Sequence, residues 1–181
     1  MRTVFLCVLA CVSTAQAEVT LRERVSPYAI SGSSAAQLRN QMNARGPRGY
    51  DGYTEWHVDW NYRYRESGGQ CAIASVDTRL QVSMTLPQWS DESKAAADLR
   101  ERWQRYFAAL KQHENGHREI GMKAANEIDR GIASLGARSS CDALGAAANA
   151  LGQAVIGRYN QADLDYDRST DHGKNQGARF P

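Results

Sequence analysis

From Leu99 to Leu135 the chain repeats apolar residues at intervals of three and four: Leu99, Trp103, Tyr106, Leu110, Ile120, Ala124, Ile128, Ile132, Leu135. That period specifies an amphipathic helix, and whatever surrounds it must cover one continuous apolar stripe. Ser90 is the expected N-cap, with Asp91 and Glu92 in the first turn where the helix dipole favours acids, and Gly136 is the expected stop. A second helix is predicted from about Ser140 to Tyr166, with Leu144, Ala148, Leu151, Val155 and Tyr159 on one face, folding back antiparallel to the first.

The first half of the chain has a different period. An extended segment around "TLRERVSPYAISG" precedes a short helix from Ser33 to Ala44 with Leu38 and Met42 on one side. "RGPRGYDG" breaks the chain. In "EWHVDWNYRYRE", Trp56, Val58, Trp60, Tyr62 and Tyr64 alternate with Glu55, His57, Asp59, Asn61 and Arg63, the period of a strand. Gly68 and Gly69 mark a turn, and "CAIASVDTRLQVSMTLP" supplies one or two more strands ending at Pro87. Strands followed by helices give an α+β class: a small, mostly antiparallel sheet with an embedded N-terminal helix, then two long antiparallel helices.

A length of 181 residues suits one domain with a real core. The net charge of +2 is too small to suggest a nucleic-acid partner. Residues 1–17 read as a signal peptide. Arg2 precedes an apolar run from Val4 to Val12, too short to span a bilayer, and Ala15-Gln16-Ala17 is a small-x-small cleavage site. A weaker lipobox-like pattern would instead anchor the chain at Cys11. Cleavage after Ala17 leaves 18–181 as one domain with no transmembrane segment, secreted or periplasmic, with two cysteines. In an oxidising compartment Cys71 and Cys141 are most simply one disulfide.

Two of the chain's four histidines, His113 and His117, lie on the apolar stripe of the long helix. Four apart on one face, their imidazoles can converge on a single ion. With Glu114 between them they form H-E-x-x-H, which arises in roughly 0.4 % of shuffled sequences of this composition. In hydrolases with that motif, zinc lowers the pKa of a water at its open position and the glutamate takes the proton. A zinc hydrolase needs a third protein ligand. Glu127 is two or more turns too far along the helix, Glu119 is on the wrong face, and Ile120 and Lys123 break the metzincin continuation. His57 on the strand and His172 in the tail remain, with Asp167 and Asp171 as carboxylate options. His172 is preferred, because the second helix returns the tail toward the motif and a metal bond would tie down a segment that otherwise frays.

The segments "YAISG", "GPRGYDG", "TEWHVDWNY", "LPQW", "HENGH" and "YDRSTDHGKNQGARFP" resemble a bacterial family of predicted secreted zinc-dependent proteases, a domain-of-unknown-function family, along most of the chain after residue 17. The resemblance implies a metallopeptidase with His113, Glu114 and His117 in its site, and a functional role for Tyr166-Asp167 and His172-Gly173. Tyr166 would then donate to the oxyanion near a polarised carbonyl. The expectation is a zinc metallohydrolase, specifically an endopeptidase. Its metal ligands would be His113, His117 and His172, its base Glu114, its cofactor Zn2+ and its substrate a peptide or protein held along an exposed strand. A noncatalytic zinc-binding protein and a metal-free envelope interaction protein are the alternatives.

Overall fold

A computed structural model describes residues 19–180; the expected signal peptide and the Cys11 alternative fall outside them. Strand β1 (Thr20–Ile30) leads into helix α1 (Ala35–Arg45), capped by the Ser34 hydroxyl accepting from the Gln37 N–H. The chain turns at Pro47–Gly49 and forms the hairpin β2 (Tyr53–Ser67) and β3 (Gln70–Trp89). Two long helices follow, α2 (Ala97–Ala133) and α3 (Cys141–Thr170), and residues 174–176 close with a 3-10 turn.

The class is α+β, and the sheet is mixed. Its order is β1-β3-β2, with β2 antiparallel and β1 parallel to β3. The expectation of a mostly antiparallel sheet fails because alternation reports which side of a strand is buried and nothing about its neighbours. Helix α1 carries the chain past the central place, and β3 fills it. "CAIASVDTRLQVSMTLP" is thus a single long strand, on which Val76, Thr78, Leu80, Val82, Met84 and Leu86 are all buried. It runs beyond Pro87 to Trp89 because the β2 ladder has ended by then, at Tyr53↔Thr85, and Pro87 has a strand on one side only.

The long helix starts later than its sequence suggests. The Ser90 N–H bonds to the Ile30 carbonyl, the Asp91 carboxylate accepts from the Gly32 N–H, and α2 itself starts after Ala96 with no side-chain cap. A short 3-10 turn intervenes, and α2 begins at Ala97 and ends at Ala133. Helix α3 then runs back along it: Gly131 meets Leu151 near one end and Gly116 meets Tyr166 near the other. Ser140 caps α3, and its first residue, Cys141, is disulfide-bonded to Cys71 at the start of β3. Among the described residues no helix is long and apolar enough to cross a membrane.

Two apolar clusters divide the interior. One gathers Ile30, Leu38, Met42, Trp103 and Tyr106 with Ala178 and Phe180 from the closing segment. The other packs Val58, Leu80 and Val82 of the sheet against Ala124, Ile128 and Ile132 of α2 and Ala148 and Val155 of α3. Helix α2 passes through both. Between Leu110 and Gly121 its buried face carries His113, Glu114 and His117.

Candidate metal centre

His113, Glu114 and His117 are each 5 % exposed or less. Opposite them, α3 runs one turn further than its apolar pattern predicts, to Thr170. That turn puts Asp167 on the helix, four residues after Asp163 and on the same face. Two i, i+4 pairs therefore meet across antiparallel helices. His117 Nδ1 lies 2.9 Å from Asp163 Oδ1, and Asp167 Oδ1 lies 3.2 Å from both His113 Nε2 and His117 Nε2. The two Nε2 atoms are 3.3 Å apart.

Hydrogen bonds on the far side of each ring assign its tautomer. The Trp56 indole N–H donates to Asp163 Oδ1, an acceptor that takes the Nδ1–H of His117. Around His113 the bonds close a ring. Gln176 Nε2 donates to the Tyr166 hydroxyl (3.0 Å), which donates to the His113 carbonyl (3.3 Å), while His113 Nδ1–H donates to Gln176 Oε1 (3.0 Å). With both protons on Nδ1, both Nε2 lone pairs face the Asp167 carboxylate with no proton between them. That convergence of acceptors is unfavourable unless a cation fills it. The spacing suits one: tetrahedral bonds of about 2.0–2.1 Å hold ligand atoms about 3.3–3.4 Å apart.

Burial, and then the neighbouring His117, pull the His113 pKa down. Burial also opposes charge on His117, but the Asp163 hydrogen bond and the surrounding carboxylates outweigh it and raise that pKa. Glu114 is pushed up to about 7 by burial, against a hydrogen bond from Thr54 Oγ1 to its Oε2 (2.7 Å). Gly52 is packed so closely on the same carboxylate that a Cβ there would stand 2.6 Å from Oε1. The entry to β2 thus fixes Glu114 beside the histidines.

The other residues singled out from sequence are placed as follows. His172 lies on the solvent side of Asp167, its Nδ1 3.3 Å from Oδ1 and its side chain 41 % exposed, with the Tyr50 ring 4.9 Å away. It falls outside the group formed by His113, His117 and Asp167, whose ligand atoms all lie within 4.8 Å of one another. His57 is exposed and paired with Asp59, and Asp171 is paired with Lys174. Tyr166 stacks on the His113 ring, centroids 5.0 Å apart and 12° from parallel. Its hydroxyl shares Gln176 with Nδ1, on the side of the imidazole away from Nε2.

Asp163 and Gln176 were not found from sequence. Asp163 had a signal, four residues from Asp167 on a helical face; Gln176 had none, because no periodicity ties it to the helices.

Fold and site together define an α+β protein with two histidines and a carboxylate converging between antiparallel helices. Over residues 25–173 the chain matches, and it belongs to, the family described as bacterial protein of unknown function, DUF922. No curated protein and no solved structure matches it.

Proposed function

We propose that this chain is an exported zinc-dependent metallohydrolase, most simply an endopeptidase acting on peptide or protein. The observation that carries the reading is the convergence of His113 Nε2, His117 Nε2 and Asp167 Oδ1 at 3.2–3.3 Å, with the imidazole protons turned outward to Gln176 and Asp163. Two imidazoles and one carboxylate are a donor set for catalytic zinc, which leaves a fourth position free. In this reading Asp167 is the third ligand, in place of the His172 expected from sequence. Zinc bound there would supply Lewis acidity, polarising a carbonyl and making water a stronger acid. His113 and His117 would hold the ion as neutral donors, with Asp163 and Gln176 keeping their Nε2 atoms aimed at it. Glu114, held by Thr54, accepts the proton of the attacking water and returns it to the leaving amine. Tyr166 serves as support for His113, since its hydroxyl is already engaged there. The disulfide and the expected signal peptide favour a periplasmic or extracellular setting.

A noncatalytic reading draws on His172, whose Nδ1 stands 3.3 Å from Asp167 Oδ1 and would close the site as a fourth ligand. Zinc content and casein hydrolysis, measured on residues 18–181, separate the two. The catalytic reading expects stoichiometric zinc in wild type, Glu114→Gln and His172→Ala, and loss of zinc in Asp167→Ala. It also expects hydrolysis to fall at least a hundredfold in Glu114→Gln. Zinc lost in His172→Ala, with no hydrolysis by wild type, establishes the closed site. A wild-type chain that takes up no zinc overturns both.

A further inference from the structure

We infer that residues 174–180 are a positioning strap for the metal centre, and that Gln176 is the residue through which it acts; the inference rests on the metal reading above. The strap meets the site through Gln176. Gln176 Oε1 accepts from His113 Nδ1, and its Nε2 is committed to the Tyr166 hydroxyl, so the carboxamide can present only its oxygen to the imidazole. Without it, the nearest alternative acceptor for Nδ1–H is Thr170 Oγ1, at a long 3.5 Å and already accepting from the Gly173 N–H. His113 would then be free to carry its proton on Nε2, the wrong nitrogen for binding an ion.

What fixes the strap lies at its other end. Phe180 is buried against Tyr106 and Trp103, with ring centroids 5.0 and 5.5 Å away. Its carbonyl accepts from Arg39 Nε and Nη2, at 3.2 and 2.9 Å. Arg39 is itself held by Asp51 at 2.7 Å, and Asp51 also accepts from the Tyr106 hydroxyl. Asp51 immediately precedes Gly52, the residue packed on Glu114. One ion pair therefore anchors both the strap that orients His113 and the strand entry that confines Glu114. The aromatic cluster around Phe180 is in this way coupled to a metal site it does not touch.

The test is cobalt and zinc affinity by chelator competition, with the visible band of the Co2+ form as a report of ligand geometry. Gln176→Met removes the acceptor while preserving size, and is expected to weaken both metals about 10- to 100-fold with a melting temperature lowered no further than in Leu99→Ala. Gln176→Glu retains an acceptor and should rescue affinity. Phe180→Ala should reproduce the Gln176→Met loss and broaden the cobalt band. Leu99→Ala, in the same cluster but outside the strap, should lower the melting temperature and leave affinity within about twofold. Wild-type affinity in Gln176→Met, or equal losses in Phe180→Ala and Leu99→Ala, overturns the inference while the metal site stands. No metal binding by wild type would instead remove the reading beneath it.

Discussion

Replacing Gly116 by alanine tests the helix contact behind the site, because the sign of its effect is in question. On an ordinary helix surface the change is stabilising by about 1 kcal/mol, since alanine restricts the unfolded backbone and favours helix. Here a Cβ would stand 2.1 Å from Tyr166 Oη, 2.3 Å from Cζ and 2.6 Å from Cε1. The ring must withdraw by roughly 1.5 Å to reach normal contact distance. It is stacked on His113 and bonded to the His113 carbonyl and Gln176, so withdrawal breaks those contacts together. Overpacking of this kind costs about 1–3 kcal/mol, and the lost hydrogen bond about 1 more. Net of helix propensity, Gly116→Ala is expected to destabilise by about 2 kcal/mol. For a chain of this length that lowers the melting temperature by about 4–8 °C. Thermal unfolding followed by circular dichroism measures it. In a Tyr166→Leu background, with no rigid ring over position 116, the same substitution should cost much less. A rise in melting temperature on Gly116→Ala alone would refute the close packing of α3 on α2 at this point.

Two further outcomes follow from the same geometry. Gly52→Ala drives a Cβ against the Glu114 carboxylate, 3.1 Å from Cδ and Cγ as well as 2.6 Å from Oε1. It should cut casein hydrolysis at least tenfold while zinc content stays at the wild-type level; unaltered turnover would show that Glu114 is not confined by the strand entry. Replacing Cys71 and Cys141 by serine opens a loop spanning 70 residues of sequence. The chain-entropy model puts that at about 4 kcal/mol. Urea unfolding should show the unfolding free energy lowered by that amount, with the midpoint lowered in proportion, and a midpoint unchanged between oxidised and reduced wild type would exclude the bond.

Sequence periodicity reported the faces of the elements well and their ends poorly. Leu38 and Met42 on α1, the Trp56–Tyr62 alternation and the α2 stripe are all legible because burial repeats with the backbone period. The ends depend on single hydrogen bonds that no pattern encodes. Ser90 looks like a cap, yet its backbone extends the β1 ladder and Asp91 answers to Gly32. The same weakness hid part of the candidate site. The apolar face of α3 fades after Tyr159, so the helix reads as ending at Tyr166, and Asp167 then belongs to a tail where His172 is the more obvious ligand. The extra turn to Thr170 is polar because it faces polar partners, His113 and His117.

That polar turn explains why the site requires the whole fold. Three adjacent ionisable groups on the buried face of α2 interrupt an otherwise continuous core, and burying them unpartnered would cost several kcal/mol. Each is satisfied from a different element: Glu114 by Thr54 of β2, His117 by Asp163 of α3, and His113 by Gln176 of the closing segment. Thr54 lies far in sequence from Asp163 and Gln176, so the three are satisfied together only when the hairpin, the returning helix and the strap have all docked. Apolar side chains at 113, 114 and 117 would join the two clusters with no such requirement. A chain carrying His113→Leu, Glu114→Leu and His117→Leu together with Thr54→Val and Gln176→Met, so that buried partners are removed with them, should therefore still fold, at stability near that of wild type, and bind no zinc. Should it fail to fold, the polar gap would be a structural necessity of α2 packing, and its shape would no longer argue for a site.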